Sequence, residues 1–117
     1  MRPHYNLEAW KNAMDLVDEI YKISKGFPTE EKFGLTSQMR RAAISVPSNL
    51  AEGAARKSKA EFANFVNIAK GSLSELETQL IILKRQNYIH NISSLLDLTG
   101  KVSSQLNGLQ NYLTTNN

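Results

Sequence analysis

Between positions 62 and 83 the apolar residues fall at Phe62, Val66, Ala69, Leu73, Leu76, Leu80 and Leu83, alternating steps of four and three without a miss. That period traces one face of a helix, and a helix with one apolar face must bury it against another element. The spacing returns at Ile92, Leu95, Thr99, Val102, Leu106, Leu109 and Leu113. Near the N-terminus it runs through Leu7, Trp10, Met14, Val17 and Tyr21, with Ala13 and Ile20 widening the stripe. A further pattern holds Leu35, Met39, Ala42, Val46, Asn49 and Gly53. No segment shows the strict alternation of a half-buried strand. The reading is all-α, with helices at about 7–25, 34–55, 59–87 and 92–114. A chain of 117 residues has room for one domain, 1–117, and helices of similar length with short connections favour an antiparallel up-down-up-down four-helix bundle.

The helix ends have their own signals. Asn6 is placed to cap the first helix, and Gly26 followed by Pro28 to end it. Pro47 falls inside the second pattern and predicts a kink there or a break just before it, with Asn49 on the seam to bond the carbonyl that loses its donor. Ser58 with Glu61 reads as a capping box. Asn91 is a cap for the fourth helix, and the tail from Thr114 to Asn117 is expected to fray.

Much chemistry is excluded by composition. There is no cysteine, so thiol catalysis, Cys-ligated zinc and iron–sulfur clusters are out, and a cytoplasmic location is expected. Neither His4 nor His90 has a Glu three residues before it, as a di-iron bundle requires. Asp15, Asp18 and Glu19, like Glu75 and Glu77, lack partnering His or Cys and read as solvated faces. The six glycines are isolated, so no phosphate loop occurs, and no Ser stands in a nucleophile motif. No cofactor, metal or small-molecule substrate is expected. No apolar run suits a signal peptide or a membrane span.

Charge is distributed unevenly. The net charge is +3, yet residues 32–59 hold six cations (Lys32, Arg40, Arg41, Arg56, Lys57, Lys59) against Glu52 alone, a local +5. Residues 1–31 carry four basic and six acidic groups, and residues 60–117 four of each. Arg40, Arg41, Arg56, Lys57 and Lys59 are therefore candidates for contact with RNA or DNA, the alternative being a solvated face. Sequence preference should be weak, because no aromatic platform accompanies these charges. A second group lies off the helix seams at heptad multiples: Leu16 and Ile23, Ile68 and Ile82, Leu98 and Tyr112. With only Asp97 and Lys101 charged in the last 32 residues, these apolar positions are candidates for a subunit interface, against the alternative of scattered surface apolars. Arg85 and His90 have the Arg-x4-His spacing of HEPN-type ribonucleases, where His does acid–base work and Arg stabilises phosphate charge; Gln86 departs from that pattern.

One block is more specific. It opens on Phe33, in a Tyr-like position, and reads Gly34-Leu35-Thr36-Ser37-Gln38-Met39-Arg40-Arg41-Ala42-Ala43, then Ile44-Ser45-Val46-Pro47-Ser48-Asn49-Leu50-Ala51-Glu52-Gly53. It resembles the four-helix-bundle protein family encoded by intervening sequences of bacterial 23S ribosomal RNA genes. The resemblance extends upstream to Trp10 and Gly26-Phe27-Pro28, and downstream to Phe62, Gly71–Leu80 and Leu106-Asn107-Gly108-Leu109. Helix four is poorer in charge than the family leads one to expect. The resemblance implies a left-handed up-down bundle, a ring-like homopentamer and no established enzymatic activity. The family is similar in shape to basic pentameric accessory proteins of diversity-generating retroelements, which is an analogy at the level of fold. Within the block, Pro47, Ser48, Asn49, Glu52 and Gly53 read as structural: Glu52 is placed to pair with Arg56, and Gly53 to allow a close helix approach or a turn. The reading is a non-enzymatic oligomer that scaffolds or binds nucleic acid, RNA first. The alternatives are a pure protein–protein assembly module and, more distantly, a ribonuclease using Arg85 and His90.

Overall fold

The computed structural model describes residues 2–115; of the tail expected to fray, Thr114 ends the last helix and the Thr115 N–H bonds the Asn111 carbonyl, while Asn116 and Asn117 lie outside the described residues. It contains four α-helices: α1 (Glu8–Ser24), α2 (Leu35–Ala54), α3 (Lys59–Arg85) and α4 (Ser93–Thr114). Short 3-10 turns at Pro3–Asn6 and Thr29–Glu31 precede α1 and α2, and no strand occurs among the described residues. The protein is an all-α four-helix bundle, 49 × 21 × 21 Å. Ser45 on α2 meets Ser72 on α3, while Gly53 meets Phe62 and Phe65, so these two helices run in opposite directions.

Local chemistry sets the ends. At the start of α3 the Ser58 Oγ accepts the Glu61 N–H at 3.1 Å and donates to the Glu61 carboxylate, tying the two box residues together. The helix stops at Arg85 because Asn87 adopts the left-handed region at φ 61°. This lets the Tyr88 N–H reach the Leu83 carbonyl at 3.0 Å and the Asn87 N–H reach Lys84 at 3.1 Å, a Schellman closure. Asn91 Oδ1 accepts from the Ser93 N–H at 2.9 Å and opens α4. Asn6, by contrast, does not cap α1. Pro3 starts a 3-10 turn that runs through Asn6, and the extended Leu7 takes the cap position with no side-chain bond.

The break expected before Pro47 does not occur, since α2 is continuous from Leu35 to Ala54. Asn49 does bond a carbonyl, but that of Ser45 at 2.8 Å and not that of Ala43, which Pro47 leaves without its usual donor. The same amide donates to the Ser45 hydroxyl at 2.9 Å, which is hydrogen-bonded to Ser72 at 2.8 Å. One lost backbone bond is tolerable in a helix held by its neighbours, because packing supplies most helical stability.

The core contains Leu16, Ile20, Met39, Val46, Leu50, Val66, Leu76, Leu80, Leu83, Val102 and Leu106, all fully buried. The seams of α3 and α4 are those the spacing predicts, whereas α1 is turned. Its buried line is Ala9, Ala13, Leu16, Ile20 and Ser24, leaving Trp10 and Val17 half-buried and Met14 exposed. Leu16 is therefore a core residue and not part of a subunit interface. Two stripes with helical spacing coexist on α1. The one bearing Ala9 and Ala13 faces inward because small residues let the helix axes approach closely.

The α1–α2 connection is fastened to the α3–α4 turn. Tyr88 donates its hydroxyl to Glu31 Oε2 at 2.9 Å, while Glu31 Oε1 accepts the Leu35 N–H at 3.4 Å. The bond to Glu31, then burial, then the charges of Glu31 and Glu30 raise the phenol above its usual value of about 10. A phenol whose pKa is higher folded than unfolded adds stability below pH 10 that disappears as pH rises through the folded value. Tyr88→Phe should therefore be less stable than the natural chain at pH 9 in urea unfolding. The difference between the two should shrink at pH 11.

Candidate nucleic-acid interface

The fold splits the basic segment into two. Arg40 and Arg41 lie in the first half of α2, while Arg56, Lys57 and Lys59 occupy the α2–α3 turn and the start of α3. About 20 Å of helix separates Arg41 from the end of α2. The two arginines differ as adjacent helical positions must. Arg40 is half-buried, its Nε donating to Ser24 Oγ at 2.8 Å and its guanidinium 4.5 Å from the Tyr21 ring centre. Arg41 is exposed on a groove of about 370 Å³ between α2 and α3, lined also by Gln38, Ser45, Ser72 and Glu75. At the other end Arg56 pairs with Glu52 at 3.2 Å and covers the Phe65 ring at 4.9 Å. Lys59 lies 4.6 Å from the ring centre of Tyr112, which is 63% exposed, and Lys57 is exposed.

The block at 47–53 is woven into the fold. Pro47 is buried, Ser48 lines the outer groove between α1 and α2, Asn49 bonds Ser45, Glu52 holds Arg56, and Gly53 sits against α3. A Cβ on Gly53 would stand 2.7 Å from Phe65 Cβ and 2.8 Å from Phe62 Cδ1, so the absent side chain sets how closely α2 and α3 approach.

Of the six candidate interface residues, Ile68, Ile82 and Tyr112 are exposed, while Ile23 and Leu98 are half-buried against the core that encloses Leu16. A larger apolar surface was read from the sequence as core. Trp10, Met14 and Val17 line a groove of about 340 Å³ on the outside of α1 and α2, with Ile44, Pro47 and Ala51 on its other wall. His4 closes one end and stacks edge-on to Trp10, with 5.1 Å between ring centres.

Arg85 ends α3 and His90 lies in the following turn, both exposed. Among the described residues no three His, Asp or Glu side chains gather as a metal site, and no helix is long and apolar enough to cross a membrane.

The family model of the 23S rRNA-intervening sequence proteins matches residues 5–108. The chain belongs to that family. Its fold is also similar to the crystal structure of a protein of unknown function from the S23 ribosomal protein family of Bacteroides thetaiotaomicron. The two share 22% identity, with 90% of this chain and 94% of that one covered at a TM-score of 0.65. No curated protein matches the chain. As a 23S rRNA-intervening sequence protein it places the candidate cations Arg40 and Arg41 on α2 and Arg56, Lys57 and Lys59 at the α2–α3 turn and the start of α3, and the 47–53 block within the contact of α2 with its neighbours.

Proposed function

We propose that this 23S rRNA-intervening sequence protein is a non-enzymatic, cytoplasmic homo-oligomer, a homopentamer by its family resemblance, that binds or scaffolds nucleic acid, RNA first. The observation that supports this most directly is the state of the basic segment. Lys32, Arg41, Arg56, Lys57 and Lys59 are all exposed, and among the described residues only Arg56 of these takes part in an ion pair. Exposed cations without acidic partners are what a phosphate backbone can use. A single protomer divides them between two regions. Assembly multiplies the field, and the outer groove of Trp10, Met14 and Ile44, with exposed Ile68 and Ile82, offers apolar surface for it. That same surface favours the second reading, a pure assembly module.

The test is a salt titration of RNA binding on the purified protein, with its mass followed by light scattering. Affinity should fall with salt with a slope near −0.9 per duplex phosphate neutralised, or about −0.7 on a single strand. Arg41, Lys57 and Lys59 replaced together by Gln should flatten the slope while the helical spectrum stays unchanged. Arg40 is left intact because it bonds Ser24. No binding at low salt would favour the assembly module. RNA cleavage lost in His90→Ala would revive the ribonuclease.

A further inference from the structure

Resting on the nucleic-acid reading above, we infer that the wall formed by the α1–α2 connection and the first half of α2 is a binding site for single-stranded nucleic acid. In it Phe33 is the platform for an unpaired base, and Lys25, Lys32 and Arg41 hold phosphates. Two adjoining grooves, about 350 and 210 Å³, share Lys32, Thr36 and Arg40. Lys25 lines the smaller groove and Arg41 the larger, and no carboxylate lines either one. The fold thus collects four cations from three parts of the chain. Lys25 comes from a stretch whose own charge balance is acidic.

Phe33 is 90% exposed, the most exposed large apolar side chain among the described residues, and Lys32 Nζ stands 5.5 Å from its ring centre. Apart from Lys32, the protomer covers little of that ring. An unpaired base does, since any base has a π-face to stack and its phosphate brings the anion that the neighbouring cations lack. Tyr21, under the Arg40 guanidinium, and the Thr36 and Ser37 side chains complete the larger groove. A duplex keeps its bases stacked on each other and has none to offer Phe33 without unstacking. The aromatic platform that the sequence reading found missing is therefore beside the charges. A second copy of the chain is the less favoured occupant, because protein interfaces are depleted of lysine and would have to bury Lys25 and Lys32.

The experiment measures binding of a fluorescein-labelled 12-nucleotide single-stranded RNA, and of the same sequence as a duplex, to the full chain at 50 mM salt. Phe33→Ala should weaken single-strand binding about 5- to 100-fold and leave duplex binding within about twofold. Phe33→Trp should restore it, and Lys25→Gln should lower the single-strand salt slope by about 0.7. Equal single-strand binding by Phe33→Ala and the natural chain would overturn this site while leaving RNA binding elsewhere intact. A changed oligomer mass for Phe33→Ala in light scattering would also overturn it, by making the ring a subunit contact. Failure of the natural chain to bind either probe would overturn the site together with the functional reading beneath it.

Discussion

Leu16→Ala is expected to destabilise the protomer by about 2–5 kcal/mol, the cost of deleting a fully enclosed leucine and leaving its cavity. Leu16 has no exposed surface and lies on the inward line of α1 with Ala13 and Ile20. No partner subunit can reach it. Urea unfolding followed by helical signal should show the loss at every protein concentration. An interface leucine would behave otherwise: the oligomer would dissociate on dilution while each protomer kept its helices. A folded Leu16→Ala with reduced mass in light scattering would return this residue to the interface where its heptad spacing from Ile23 places it.

Gly53→Ala should lower stability by about 1–3 kcal/mol, although alanine is the better helix former by about 1 kcal/mol. Steric overlap wins because the nearest atom, 2.7 Å from the added methyl, is the Cβ of Phe65, which moves only if α2 and α3 separate. Gly100 supplies the contrast. It also lies inside a helix, α4, but nothing stands within 4 Å of a Cβ built there. Gly100→Ala should therefore stabilise the protein by about 0.5–1 kcal/mol. Opposite signs in thermal unfolding are the expected result. Two increases would mean that α2 and α3 do not approach as closely as the Gly53 contact requires.

Gly53 and Leu16 also show how far the sequence could be read. Gly53 stood on a helical seam, so a close approach was one of two roles written in its spacing. Leu16 was misplaced because α1 carries two apolar stripes of equal periodicity, and period alone does not say which one faces inward. The larger side chains, Trp10, Met14 and Tyr21, made the outer stripe look like the core. Packing preferred the line with Ala9 and Ala13, whose size permits a short distance between axes. The candidate site was legible as a charge excess and no further. Lys25 carried no signal of its own, lying in an acidic stretch, and Phe33 stood out only as the Tyr-like first residue of the family block, with nothing to tie it to the charges.

The four helices, the start of α3 and the faces of α3 and α4 followed from local rules: a period of 3.6, Ser58 with Glu61, and a seam longer than any other apolar line on its helix. Such rules act within a few residues, so the chain carries them wherever it goes. The rotation of α1, the continuity of α2 through Pro47, the fastening of Glu31 to Tyr88 and the gathering of Lys25, Lys32 and Arg41 along two adjoining grooves followed from another kind of constraint. They depend on distances between residues far apart in the chain, and those distances exist only once four helices share one core of fixed volume and density.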